Sequence, residues 1–152
     1  YRRGLYTHWQ RTFLHPMLTA FDAPSREECT AKRTRSNTPL QALVLLNDPT
    51  FVEAARVFAE RILREGGDDV ENRLRWAYQT AVSREPETSI RQPLLELFQE
   101  HLEHYQANVG QAERLVAQGD AAISKDLDTA ELAARTSVAS DILNMHETIT
   151  RY

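Results

Sequence analysis

The sequence has 152 residues, of which 41% are hydrophobic and 26% charged, and a net charge of −4. That is the profile of one ordinary globular domain, large enough to bury a core without disulfides, and the single cysteine, Cys29, cannot form one internally. No apolar run reaches the length of a membrane span, no apolar h-region follows the basic start at Arg2 and Arg3, and the acidic total argues against nucleic acid as a partner.

Charge is unevenly placed. Residues 1–35 carry a net +4 and the remainder a net −8, so the basic part either neutralises the acidic helices of its own fold or meets an anionic partner. The sequence does not begin with Met and reads as a piece of a longer chain.

In chain order, Tyr1–Thr12 reads as an aromatic-rich helix with Leu5, Trp9 and Phe13 on one side, ended by His15-Pro16. Ala20–Asn37 shows no sustained period and reads as an ordered loop, with one weak capping pair at Ser25 and Glu28. Thr38-Pro39-Leu40-Gln41 places a capping Thr, a first-turn Pro and a Gln three residues past the cap. The helix that follows through Leu46 is apolar on nearly every side and is expected in the middle of the core. Asn47-Asp48-Pro49 breaks it, and Asp48 caps the next helix. There Phe51, Val52, Ala55, Phe58, Ala59, Ile62 and Leu63 keep helical spacing up to Gly66-Gly67. Asp68 and Glu71 form the next capping box, before a stripe of Val70, Leu74, Ala77, Tyr78, Ala81 and Val82. A further helix is predicted from Gln92 or Pro93 to Ala107, continuing over Gln111–Gln118 after a bend near Gly110. Asp120–Asp126 reads as a loop, and Asp128 with Glu131 caps a last helix carrying Leu132, Val138, Ile142, Leu143 and Met145. The fold class is therefore all-α, an irregular bundle of five or six helices with a long ordered N-terminal loop, and residues 1–152 form a single helical domain.

Three stretches are more specific than helix grammar. They are Arg2-Arg3-x-Leu5-Tyr6 with Trp9; Phe21-Asp22-Ala23-Pro24-Ser25-Arg26-Glu27; and Arg35-Ser36-Asn37-Thr38-Pro39-Leu40-Gln41-Ala42-Leu43, running on to Leu45-Leu46-Asn47-Asp48-Pro49. Near the end, Leu143-Asn144-x-x-Glu147-x-Ile149-Thr150 adds a fourth. Together they resemble planctomycete-specific domain one, a domain of unknown function towards the C-terminus of large planctomycete proteins. Gly4 stands where that family usually has Ser, and His146 where Asp is common. The resemblance implies an exported, periplasmic or extracellular multidomain parent that also carries a cytochrome-c-type domain. It implies no defined reaction for this domain. Without Cys-x-x-Cys-His the sequence cannot attach c-type haem, so no cofactor is expected here, and haem c is expected only elsewhere in the parent.

The candidate ligand or interface residues are Asp22, Arg26, Arg33, Arg35, Asn37, Gln41 and Asp48, which flank the apolar helix. Caps, loop clamps and an ion pair of Asp22 with Arg26 or Arg35 account for most of them. A carboxylate and an arginine left open in a cleft would instead hold an anionic or sugar-like ligand. His101 and His104 share a helix face at two-ligand metal spacing, but no third ligand is evident, and a solvated flank is the expected reading. Cys29 with His8 or His15 has no fixed geometry for nucleophilic chemistry. The resulting expectation is a non-catalytic scaffold or interaction domain that meets the other domains of its parent chain through the basic loop from Arg26 to Arg35. The alternative is part of an enzyme acting on polysaccharide or in redox chemistry, with its site shared among domains.

Overall fold

The computed structural model describes residues 8, 13–25, 27–32 and 36–149. The expected helix over Tyr1–Thr12, and Arg26, Arg33 and Arg35, fall outside them, His8 excepted. The chain divides into two compact units, Tyr1–Val44 and Leu45–Tyr152. Among the described residues there are eight helical segments and no strand: α1 (Pro16–Ala20), α2 (Pro39–Asn47), α3 (Pro49–Glu65), α4 (Val70–Val82), α5 (Thr88–Ala107), α6 (Val109–Val116), α7 (Thr129–Asn144) and α8 (His146–Ile149). The all-α class holds. The number exceeds five or six because two short helices are added and the long helix of the second half is split.

Proline sets three of the starts. It lacks the N–H that the first turn cannot use, and its fixed φ suits helix entry. His15-Pro16 begins α1, with the His15 imidazole accepting from the Met17 N–H at 3.3 Å. At α2, the Thr38 hydroxyl accepts from the Gln41 N–H at 3.3 Å and the Gln41 side chain accepts from the Thr38 N–H at 3.2 Å. That is the reciprocal capping box read from the sequence. At α3, Asp48 accepts from the Thr50 N–H at 2.9 Å, with Pro49 as the first helical residue.

Two boundaries move. Asp69 rather than Asp68 caps α4, accepting from the Glu71 and Asn72 N–H groups. Helix α5 begins at Thr88, so Pro93 lies inside it. The ring there costs one backbone hydrogen bond but stands near the N-terminal end, where the loss is smallest. Asn108 closes α5 and opens α6, and its side-chain amide donates to the His104 carbonyl at 2.9 Å.

The core of the second unit is organised around α7, which packs against α3, α4, α5, α6 and α8. Ala130, Leu132, Ala133, Ala134, Arg135, Thr136, Val138, Ala139 and Ile142 are all buried. Four of the nine are alanines, and small side chains let neighbouring helices approach closely on several sides. The remaining core comes from Val52, Ala55, Ala59 and Ile62 of α3, Leu74, Ala77 and Tyr78 of α4, Leu94 and Phe98 of α5, and Ala112 and Val116 of α6. Helix α2 does not take the central place expected of it. Leu40 and Leu43 are each 57% exposed, Leu46 is 40% exposed, and Gln41 is its one buried residue. An apolar composition all round a helix says that it needs cover, not where the cover is.

Leu132→Ala and Ile142→Ala are each expected to cost about 2–5 kcal/mol, as for truncation of a buried aliphatic side chain. Leu43→Ala should cost less than about 1 kcal/mol. Urea melts of the three variants check this, and a larger loss at Leu43 than at Leu132 would return α2 to the centre of the core.

Candidate interaction site

In the first unit, Asp22 is the hub of a loop clamp. Its backbone sits at φ +57°, a left-handed conformation that Asp tolerates better than most residues. The carboxylate accepts from the Ser36 N–H at 2.7 Å, from the Ser36 hydroxyl at 2.8 Å and from the Gln41 side-chain amide at 3.3 Å. The Gln41 amide also donates to Ser36 Oγ at 3.0 Å. Asp22 and Gln41 are therefore brought together, with Ser36 as a partner that sequence reasoning had not singled out. Asn37 lies beside them and is exposed. Asp48 belongs to the second unit, where it serves as the cap of α3. The expected pairing of Asp22 with Arg26 or Arg35 lies outside the described residues.

The second unit holds a buried polar strip on α3 that the sequence did not advertise. Glu53 is 1% exposed and Arg56 is fully buried. The Glu53 carboxylate accepts from the Asp120 N–H at 2.6 Å and the Ala121 N–H at 3.1 Å. The Arg56 guanidinium donates to the carbonyls of Ala121 at 2.8 Å and Ala122 at 3.3 Å, and to Glu60 at 2.6 Å. Glu60 in turn accepts from the Ser124 hydroxyl at 2.7 Å. A loop without regular structure must satisfy its backbone groups elsewhere, and this strip does so for residues 120–124. Gly119 completes the fit. It sits at φ +93°, and a Cβ there would lie 1.9 Å from Glu53 Oε2.

A second buried cation, Arg135, projects from α7. Its guanidinium carbon lies 3.8 Å from the centre of the Phe98 ring, and one terminal nitrogen is 3.7 Å from Glu131, which pairs more closely with Arg73 at 2.9 Å. Nε and Nη2 have no hydrogen-bond partner among the described residues. Burial pushes the Arg135 pKa down to about 10, against the opposing pull of Glu131. Along α5, the His101 ring stacks on Tyr105 with centroids 6.1 Å apart, and His104 Nε2 lies 3.0 Å from the Gln111 side chain. Among the described residues no group of three or more His, Cys, Asp or Glu is arranged to hold a metal ion.

The inward turn of Glu53, Arg56 and Glu60 leaves the outer side of α3 without charge for three turns. Ala54 and Val57 are exposed there, Thr50, Phe51 and Phe58 are half-buried, and the first charge is Arg61, whose guanidinium lies 5.3 Å from the Trp76 ring centre. Between α3 and α7 this face contains a small pocket of about 30 Å³, lined by Leu45, Phe51, Ala54, Ser140, Leu143 and Asn144. The Asn144 Oδ1 atom is buried and has no hydrogen-bond partner among the described residues. Just beyond, Glu147 pairs with Arg84 at 2.5 Å, and the Thr148 hydroxyl donates to the Ile142 carbonyl at 2.7 Å, closing the end of α7.

The second unit is thus all-α, with the Glu53–Arg56–Glu60 strip of α3 turned inward onto the loop at 120–124 and an outer α3 face that is apolar. Residues 1–98 match the family model PSD1, described as a protein of unknown function (DUF1553). The match covers more than half of the sequence, and the chain belongs to this family. It spans the Arg2-Arg3, Phe21-Asp22 and Asn37-Thr38 motifs, while the Leu143–Ile149 stretch lies beyond it. No curated protein and no solved structure matches the chain.

Two expectations follow for the buried polar groups. Gly119→Ala should destabilise by about 1–3 kcal/mol, through its positive φ and the Glu53 clash. Gly110→Ala, in α6 with open space around it, should be neutral or stabilise by up to about 1 kcal/mol. Thermal melts compare them, and equal effects would contradict the clamp. At Glu131, replacement by Gln removes the compensating charge and should destabilise by about 1–3 kcal/mol. Arg135→Met should be neutral or stabilising, because the charge it removes is one that burial disfavours. A larger loss for Arg135→Met than for Glu131→Gln in denaturant titrations would contradict this.

Proposed function

We propose that this is a non-catalytic interaction domain that docks against other domains of a larger, exported chain. The observation that carries the reading is the inverted sidedness of α3. Its charged residues point into the protein and hold the loop at 120–124, and its outer side is uncharged over three turns. A solvent-facing helix side ordinarily carries the charge, and a contiguous apolar patch rimmed by polar residues marks a contact surface. Catalysis needs an acid, base or nucleophile aimed at an open site. Here the Asp22, Glu53 and Glu60 carboxylates are spent on backbone and hydroxyl groups of the chain itself. The family resemblance supports an exported, periplasmic or extracellular parent, with any haem chemistry on a separate domain. The basic stretch from Arg26 to Arg35 supplies electrostatic steering towards an anionic partner surface.

The test is binding between this domain and the neighbouring domains of its natural chain, expressed separately and measured by calorimetry. Val57→Glu is expected to weaken binding by about tenfold or more, as for a charge placed in an apolar interface, with the melting temperature unchanged. Added salt should weaken it further through the basic stretch. Turnover of a polysaccharide or redox substrate by the domain alone, abolished by Asp22→Asn, would overturn the proposal in favour of an enzyme.

A further inference from the structure

We infer that Glu131 is a two-position latch. In the observed position it holds Arg73 and, through it, the turn between α3 and α4 onto the start of α7. In the other it closes on the buried guanidinium of Arg135 and releases that turn.

Arg73 joins three elements. Its Nε donates to the Gly67 carbonyl at 2.7 Å, inside the α3–α4 turn, and its Nη1 donates to Glu131 at 2.9 Å, in the first turn of α7. The turn packs closely on Arg73, since a Cβ on Gly66 would lie 2.9 Å from the Arg73 Cα atom. The Asp69 cap is internal to α4, so the bond to Glu131 is what ties this end of α4 to α7.

Arg135 stands four residues after Glu131, on the same face of α7. Its Nη2 lies 3.7 Å from Oε1 of Glu131, the same oxygen that takes Arg73. Neither Nη2 nor Nε of Arg135 has a hydrogen-bond partner among the described residues, whereas buried polar atoms are overwhelmingly paired. The carboxylate that completes this guanidinium is thus one turn away on its own helix, just beyond hydrogen-bond reach. Two cations compete for it. The Arg135 pKa carries the same competition: burial lowers it to about 10, Glu131 raises it and Arg73 lowers it further.

Opening the turn costs the Arg73–Glu131 bond, and the bond that Glu131 then makes to Arg135 offsets that cost. Both are charge-assisted bonds of one kind. The first turn of α4 is therefore poised to open while the packing on α7 stays in place, with Arg135 seated on the Phe98 ring in both positions. An ordinary surface ion pair has no such compensation inside the fold.

The experiment is native-state hydrogen exchange of the whole chain, read by NMR. Arg135→Met removes the second position. Exchange at the Arg73 and Leu74 amides should then slow about tenfold relative to the amides from Leu94 to Phe98 in α5, the weight of one charge-assisted hydrogen bond. In a Glu131→Gln background the same change should leave that ratio unaltered. Arg73→Gln keeps the buried guanidinium, and reads the latch even where Arg135→Met does not fold. There the Arg135 guanidinium protons should exchange with water about tenfold more slowly, because Glu131 is free to close on them. Three results would each overturn the latch: an unchanged or faster rate at Arg73 and Leu74 in Arg135→Met, a slowing that persists without Glu131, or unchanged Arg135 protons in Arg73→Gln.

Discussion

Close packing onto α7 is the constraint on which the second unit depends. A helix can be surrounded on most sides only if its side chains are small or its neighbours are held far away, and α7 takes the first course with Ala130, Ala133, Ala134 and Ala139. The larger residues, Leu132, Val138 and Ile142, fill the spaces between α3, α4, α5 and α6. The cost of this arrangement is that α7 must be threaded into the middle of the unit by the irregular loop after α6. The polar strip on α3 holds that loop. Glu53 takes two of its N–H groups, Arg56 two of its carbonyls and Glu60 its serine, so the entry to the central helix is hydrogen-bonded although it has no regular structure.

The same strip links packing to function. Once Glu53, Arg56 and Glu60 are committed inward, the helix has no charge left for its outer side until Arg61. The apolar surface and the loop clamp are two consequences of one orientation of α3. A domain that buries charge and exposes Ala54, Val57 and Leu46 gains little as an isolated body in water, and gains much more when another surface covers that side.

Helix starts were the most legible part of the sequence. Capping chemistry is local, so Thr38 with Gln41, Asp48 with Pro49 and Asp128 with Glu131 could be read within four residues and are found as read. Asp68 was displaced by Asp69 because both residues offer the same carboxylate and only the geometry of the turn chooses between them. The centre of the core was less legible. Apolar density singled out Leu43–Leu46, whereas burial falls on a helix whose central residues are alanines, a type that reads as neutral on any hydrophobic pattern. The buried charges of α3 were illegible for a different reason. Glu and Arg beside an apolar stripe look like a solvated flank, and the groups that hold them inward lie more than sixty residues away in a loop with no period of its own. Gly119 was the one local signal, since glycine at a loop start often marks a left-handed turn or a close approach, and here it marks both. The Asp22 cluster was half legible: the residue was singled out, but its partner Ser36 was not.

Native-state amide hydrogen exchange tests the central claim, that α7 is the axis of the second unit and α2 is not. The amides from Leu132 to Ile142 should exchange only through global unfolding, with protection equal to the total stability measured in denaturant, while those from Leu43 to Leu46 should exchange through local opening. Slowest exchange in α2, with α7 opening locally, would contradict the account.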